Sequence, residues 1–447
     1  MKIINTLVLL ALYLMTQAVF AAPKIQHWTT DDGLAVYYVE VPQLPMLDMR
    51  LLFSAGSARD GDQAGLAMLT SSMLDEGAAG LSVDQLAEQF ESVGANNSAG
   101  SARDMAWMTL RTLTLEKEQA TAVDTWLKVI GQVDWPEKNF LRLKKQVLLG
   151  LQEEKQSPAA IANKVFFKNL YGDHPYASPS NGTEASINVI KLEQLKAFYQ
   201  QYYVKQNAML AIVGAVSRQE AEALAKRVAA ALATGKKAAE IPPVKALSAA
   251  KTIHIPYPSK QAHILMGQTG NKRGDKDYFS LYLGNHVLGG GGFTSRLMKE
   301  VRDARGLSYS VYSYFSPMKA LGPFILGLQT KLSQTDEAVQ VATQLLSDFQ
   351  KKGATDAELV AAKKDITGSF PLGVASNADI VQYLGMIGFY NLPLDYLDAF
   401  TGKIAAISVA EVQDAFKRRI QPDKLLTVIV GGSEKKQTKA SIPKEPK

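Results

Sequence analysis

Side chains able to do chemistry are sparse in this sequence. Its five histidines, His27, His174, His254, His263 and His286, include no pair four residues apart, so no helix face offers the two imidazoles of a zinc site. Cysteine is absent, which removes thiolate ligands, disulfides and lipid-modified cysteine. The Gly-x-Ser-x-Gly turn that presents a serine nucleophile does not occur. Four glycines, Gly289, Gly290, Gly291 and Gly292, precede Phe293, but no Lys-Ser or Lys-Thr follows as a nucleotide loop requires. Such a run either lets backbones approach closely or makes a conformational turn, and the sequence leaves both open. Arg302 and Tyr309 stand seven residues apart. A guanidinium and a phenol are suitable donors toward developing negative charge. An Arg in a last helical turn is equally favoured by the helix dipole, and a strand Tyr needs no function. His174, in Asp-His-Pro-Tyr, reads as a loop histidine with a structural hydrogen bond, and His254 and His263 as packed strand residues. Met68 and Met73 read as core or groove-lining residues, and Arg296 and Arg305 as scaffold or surface charges.

Local patterns place these residues on elements. Residues 35–42 and 46–53 are rich in β-branched, aromatic and apolar side chains between turn signals and read as paired strands. Residues 64–75 carry Leu66, Leu69, Met73 and Leu74 at helical spacing. Ser82 and Gln85 form a capping-box start for a helix bearing Leu86, Phe90 and Val93, and 105–115 returns as a strand. Long helices follow from Pro136, interrupted over 171–182 by a loop rich in Gly, Pro, Ser and Asn. Further on, 261–268 reads as a strand, 278–288 as a helix, and 293–302 as a helix capped by Thr294 and closed by Asp303-Ala-Arg-Gly306. The strand 307–315 then sets Tyr309, Val311 and Phe315 on one face and Ser308, Ser310, Tyr312 and Tyr314 on the other. Strands leading and helices following point to an α+β fold rather than a doubly wound parallel sheet.

The chain has 447 residues, 47% hydrophobic and 21% charged, a globular composition that excludes wholesale disorder. The net charge is +6, and the tail 434–447, with five Lys and two Glu, carries half of it. A nearly neutral body argues against nucleic-acid binding. Residues 1–21 combine Lys2, the apolar run 7–15 and Val19-Phe20-Ala21, the pattern of a cleaved secretory signal. That run is too short to span a membrane, and the bacterial periplasm is the expected location, with full secretion open. Residues 234–244, with a Pro pair and charge, read as a linker between modules 22–233 and 245–433. The modules match at a constant offset of 217: Ile187, Ile190, Leu192 and Leu195 align with Ile404, Ile407, Val409 and Val412, and Leu210-Ala-Ile-Val-Gly214 with Thr427-Val-Ile-Val-Gly431. Each copy is an amphipathic helix followed by an apolar strand ending in Gly. The chain therefore reads as two homologous modules, each a sheet packed against helices, and not as a short-period solenoid.

These features resemble the insulinase, or pitrilysin-type, metallopeptidase family over nearly the whole mature chain. The first half carries Gly56-Ser-Ala-Arg-Asp60, Gly65-Leu-Ala-Met68, Leu74-Asp-Glu-Gly77 and Leu170-Tyr-Gly-Asp-His-Pro-Tyr176 with Gly182-Thr183. The second carries Phe293-Thr-Ser-Arg-Leu297 and the stretch from Arg302 to Tyr309. Active members place His-x-x-Glu-His directly after the Gly-Leu-Ala, two histidines ligating zinc and the Glu activating water. Those positions here are Met68, Ser71 and Ser72, and the family's third ligand falls near Leu149 or Gly150. A thioether and two hydroxyls do not replace two imidazoles and a carboxylate, so this chain is expected to hold no metal.

The resemblance implies a division of labour. Arg302 and Tyr309 reproduce the family's spaced pair, which binds substrate backbone and stabilises the oxyanion when a peptide carbonyl is attacked. Gly289 to Gly292 with Phe293 would lie beside the substrate cleft. The expectation is a non-zinc subunit, inactive alone, that pairs with a homologous zinc-bearing subunit, zinc residing in the partner, to hydrolyse peptides inside a clamshell of four modules. A non-catalytic peptide-binding or scaffold protein of the same fold is the alternative.

Overall fold

The computed structural model describes residues 24–432; the expected leader and basic tail lie outside them. The first half contributes β1 (Gln26–Thr29), β2 (Ala35–Glu40), β3 (Met46–Phe53), helix α1 (Leu66–Met73), a minor hairpin of β4 (Gly77–Ala78) and β5 (Leu81–Ser82), α2 (Val83–Glu91), β6 (Asn96–Ser101) and β7 (Ala106–Leu113). It continues with α3 (Glu116–Gly131), α4 (Glu137–Glu154), α5 (Pro158–Tyr171), α6 (Glu184–Val189), α7 (Leu192–Tyr202), β8 (Ala208–Gly214) and α8 (Arg218–Ala231). The second half repeats the series as β9 (Lys251–Ile255), β10 (Gln261–Thr269), α9 (Tyr278–Asn285), β11 (Val311–Phe315) and β12 (Pro323–Lys331). Then come α10 (Thr335–Lys352), α11 (Asp356–Ser369), α12 (Asn377–Phe389), α13 (Tyr396–Ala406), α14 (Val409–Arg419) and β13 (Leu426–Val430). The fold is α+β, and none of the described helices is long and apolar enough to cross a membrane.

Sheet order makes the duplication explicit. The first sheet runs β1-β2-β8-β3-β7-β6 and the second β9-β13-β10-β12-β11. Replacing each strand of the second by its counterpart 217 residues earlier gives β2-β8-β3-β7-β6, the first order without β1. In each sheet the single parallel pair joins the half's early strand to its last, β2 with β8 and β9 with β13. The strands over 35–42 and 46–53 are therefore not paired with each other, against the sequence-based expectation: β8 lies between them, parallel to β2 and antiparallel to β3. Its run from Leu210 to Val213 is wholly buried, which suits only a central strand covered on both faces.

That double cover comes from an exchange of helices. On one face of the first sheet, Val36, Tyr38, Leu47, Met49, Leu51 and Phe53 pack with the half's own helices. On the other, Tyr37, Leu52, Met209 and Ala211 pack with Ile380, Val381, Leu384 and Ile387 of α12, from the second half. The second sheet is served reciprocally: Leu265, Ile325, Leu426 and Val428 pack with Ala162, Phe166 and Leu170 of α5, from the first half. Glycine permits the closeness, because a Cβ on Gly388 would stand 2.2 Å from Met209 and 2.6 Å from Tyr37.

The halves are also joined by polar bonds. Asp104, buried in the turn between β6 and β7, accepts from the hydroxyls of Tyr176 and Tyr390 (the latter at 3.0 Å) and from Lys319 N at 2.7 Å. A buried carboxylate holds its place only when its lone pairs are used in this way. Residues 234–244 have no regular secondary structure and lie on the first half: Ala239 O accepts from Arg59 at 2.5 Å, and Pro242 O lies 2.8 Å from His174 Nε2. His174 Nδ1 accepts from Tyr176 N at 3.1 Å, the structural role its loop suggests. His263 is half-buried, whereas His254 is exposed on the edge strand β9 and does not pack as expected.

Candidate functional site at the glycine strap and the Arg302 rim

Arg302 lies in a π-helical stretch, Met298–Ala304, whose wider turn is common at functional sites. This helix is not capped by Thr294, as the sequence suggests. Gly292–Thr294 forms a separate 3-10 turn, and Ser295, fully buried, accepts from Met298 N at 3.4 Å and donates to Gly292 O at 2.7 Å. Gly306, at φ +60°, ends the helix, with its N–H on Arg302 O at 2.9 Å. Arg296 is held by both oxygens of Glu358 at 2.7 and 2.6 Å, which fastens this helix to α11 and keeps the Glu358 carboxyl at about 2. Arg296 is thus a scaffold charge, and Arg305 makes only an exposed 4.0 Å approach to Glu300.

The strand after this helix begins at Val311, later than expected, and Tyr309 sits in the bend before it. Ser308 causes the difference. Its hydroxyl donates to Ser310 O at 2.7 Å and to Gln329 O at 2.8 Å, tying 308–310 into a bend that turns Tyr309 outward to 90% exposure. From Val311 to Phe315 the expected alternation holds, with Tyr312 and Tyr314 on the open face. The Arg302 guanidinium lies 5.6 Å from the Tyr309 ring and 4.8 Å from that of Phe293, itself 70% exposed. The three residues, separate in sequence, form one stack in which the cation is held by π faces. No carboxylate among the described residues pairs with Arg302, so its donors are not spent on an ion pair.

The glycine run is a strap between two clefts. On one side a cleft of about 610 Å³ is lined by Gly289, Gly290, Gly292 and Phe293 together with Tyr278, Tyr282, Tyr312 and Tyr314. Gly291 lines the second cleft, of about 630 Å³, where His286 pairs with Asp365 at 2.9 Å. Packing dictates the glycines: a Cβ on Gly289 would stand 2.4 Å from Ser313 Oγ and one on Gly291 2.7 Å from His286 O, while Gly292 has φ +57° and open space. The strap also covers the edge of β11, where Asn285 Nδ2 donates to Ser313 O at 2.8 Å and accepts through Oδ1 from the Ser313 hydroxyl at 2.7 Å. Arg302 and Tyr309 do not line the first cleft; they stand on its rim beside Phe293 and Ser310.

In the first half, the helix at the corresponding place in the chain order is α1. Asp60 caps it, accepting from Gly65 N and Ala67 N at 2.8 Å each, and burial pushes its carboxyl up to about 7. Ser71 is 2% exposed and donates to Met68 O at 2.9 Å, while Met68 packs against the core. Leu149 and Gly150 are exposed on α4. Glu76, the acid just past α1, is held by Arg142 through both oxygens at 2.5 Å. No three His, Asp or Glu side chains converge among the described residues, and this donor set does not fit zinc.

Comparison with known proteins accounts for both halves. The family model described as Insulinase (Peptidase family M16) matches residues 36–184, and that described as Peptidase M16 inactive domain matches 190–366. A crystal structure of a peptidase M16 inactive domain from Pseudomonas fluorescens is 42% identical, covers 92% of this chain and 98% of its own, and superposes with a TM-score of 0.89. The chain belongs to peptidase family M16. Among M16 relatives, the "Non-peptidase homolog YmxG" of Helicobacter pylori is 27% identical over 90% of this chain and 92% of its own. An "Uncharacterized zinc protease YmxG" of Bacillus subtilis is 22% identical over 91% and 98%. A protease from Helicobacter pylori, at 20% identity and a TM-score of 0.83, shares the fold.

Three residues outside the motif helix and strand also stand in the cleft region. Asn271 and Arg273 line the first cleft, and Arg50 lines a neighbouring one. They belong to a short turn after β10 and to the middle of β3, where no periodicity or cap marks them.

Proposed function

We propose that this chain is the non-zinc subunit of a two-chain M16 peptidase, exported to the periplasm, that pairs with a zinc-bearing homologue to bind and hydrolyse peptides. The observation that carries this reading is the Arg302 guanidinium, stacked between Phe293 and Tyr309 and without an acidic partner among the described residues, beside an aromatic cleft of peptide-sized volume. Arg302 and the Tyr309 hydroxyl are donors able to bind a peptide carbonyl and to hold it as its oxygen becomes anionic. The metal belongs to the partner, since α1 carries Met68, Ser71 and Ser72 where the zinc ligands and base would stand. Export rests on the leader pattern of residues 1–21.

The test is reconstitution. The mature chain and the zinc-bearing homologue from the same genome are purified separately and mixed with a peptide library. Neither cleaves alone, cleavage appears on mixing, and Tyr309→Phe leaves assembly intact. Chelator-sensitive proteolysis by this chain alone overturns the reading. The name non-peptidase homolog, given to the Helicobacter pylori relative, favours a second reading, a peptide-binding protein that takes part in no cleavage. It predicts binding in the cleft and no turnover in any mixture.

A further inference from the structure

Around the turn after β10 the acids are already committed. Asp275 accepts from Arg419 at 2.7 Å, and Asp277 is clamped by Arg418 at 2.7 and 2.8 Å and by Arg419 at 2.7 Å. Arg273, in the same turn, has no acid of its own among the described residues. Its Nε is buried without a hydrogen-bond partner, and its guanidinium stands 5.9 Å from the Tyr278 ring and 5.6 Å from that of Tyr390. Two residues earlier, Asn271 is 1% exposed, and neither its Nδ2 nor its Oδ1 has a partner. Both residues border the aromatic cleft behind the Arg302 rim.

Arg273 also lines a cavity of about 470 Å³ between the first sheet and α12, and Arg50 of β3 lines it too. The Arg50 stem lies against Gly385, its guanidinium is 5.1 Å from the Trp107 ring, and no acid among the described residues pairs with it. Burial alone acts on its pKa, lowering it. The one carboxylate lining this cavity, Asp379, takes the Ser376 hydroxyl at the start of α12. Partly buried guanidiniums without anions and a buried amide without partners are costly in a folded protein unless something else completes them. Guanidinium forks fit a carboxylate, and a side-chain amide fits the N–H and C=O of a peptide group.

We propose that Arg273 and Arg50 receive the C-terminal carboxylate of a peptide lying in the cleft, with Asn271 hydrogen-bonded to its last peptide group. The proposal rests on the peptide-binding reading of the cleft and adds a direction and a selection to it. The bound peptide runs from the Arg302 and Tyr309 rim inward to its free end, so short released peptides are preferred over internal loops of folded proteins.

The test uses the full mature chain and four probes: the tetrapeptide acetyl-Ala-Tyr-Ala-Ala as free acid and as amide, acetyl-Ala-Tyr-Ala-Glu amide, and N-acetylalanine. Binding is read by calorimetry and by the fluorescence of Trp107, which lies under Arg50. The free acid should bind at least about tenfold tighter than either amide, the size of one charge-assisted hydrogen bond. Arg273→Gln and Arg50→Gln should each abolish that preference, and Arg273→Lys should keep part of it. Both Gln variants should melt no lower than the parent, since each removes an unpaired charge. Equal binding of acid and amide overturns the anchor and leaves the cleft reading standing; a Glu-bearing amide as tight as the acid overturns the assignment to a chain terminus. N-acetylalanine binding through the two arginines as tightly as the tetrapeptide supports the carboxylate receptor and removes the peptide. Failure of every probe to bind at millimolar concentration overturns both.

Discussion

The two halves share a strand order and an offset of 217 residues, and they differ in what their polar side chains are doing. Around α1, Asp60 is spent on the helix N-terminus, Ser71 on Met68 O and Glu76 on Arg142, so the helix is a finished structural element. At the corresponding place in the second half, the backbone widens into π turns and a glycine strap, and Asn271, Arg273 and Arg302 remain uncommitted. The polar groups named around α1 are satisfied within their own half, whereas those around the strap leave donors open.

The largest effect should come from the open donors. In the reconstituted two-chain enzyme, Tyr309→Phe or Arg302→Met should lower kcat about 100-fold, the cost of removing a preorganised oxyanion donor. Ser71→Ala and Ser72→Ala should leave kcat unchanged. If the serine variants are as damaging as Tyr309→Phe, the contrast between the halves is wrong. Next in size is the helix exchange. Gly388→Ala places a methyl against Met209 and Tyr37 and should destabilise by about 2 kcal/mol in urea unfolding, within the usual range for overpacking. Gly292→Ala, in open space but with positive φ, should cost only about 1 kcal/mol.

The pH dependence of stability sharpens the comparison further, because Asp60 in the first half and Glu358 and Asp277 in the second are shifted in opposite directions. Asp60, raised to about 7 by burial, contributes stability that is present in acid and lost as pH climbs from about 4 through 7. Glu358, lowered to about 2 chiefly by Arg296, and Asp277, lowered to about 2 chiefly by Arg418, contribute stability that is present above about 4.5 and lost as pH falls through 2. In a series of Tm measurements, Asp60→Asn should flatten the limb between pH 4 and 7, and Arg296→Met the limb below 4.5. The smallest effect concerns the corrected cap: Ser295→Ala should cost about 1 kcal/mol, and Thr294→Ala close to nothing.

What sequence conveys here follows the range of each interaction. The capping box at Ser82 and Gln85, the alternation from Val311 to Phe315 and the helix closing at Gly306 all lie within a few residues of their causes, and the structure contains them. The duplication was legible because apolar residues repeat at one offset. The placing of β8 between β2 and β3 depends on pairing across more than 150 residues, which turn signals do not encode. Tyr309 continues a two-residue alternation in the sequence, but Ser308 bonds to Gln329, far along the chain, and bends the backbone instead. The stack of Phe293, Arg302 and Tyr309 brings together residues chosen separately, whereas Asn271, Arg273 and Arg50 are distinguished only by what they fail to bond.

Two half-length copies that traded α5 for α12 would bury the same surfaces as the single chain does, whereas one copy alone would leave a sheet face bare to water. The exchange is the arrangement that two half-length copies would make as an intertwined symmetric dimer, and the irregular segment 234–244 stands where one copy would end and the next begin. Cutting the backbone within that segment should give two fragments that are unstable apart and re-form the native pair when mixed.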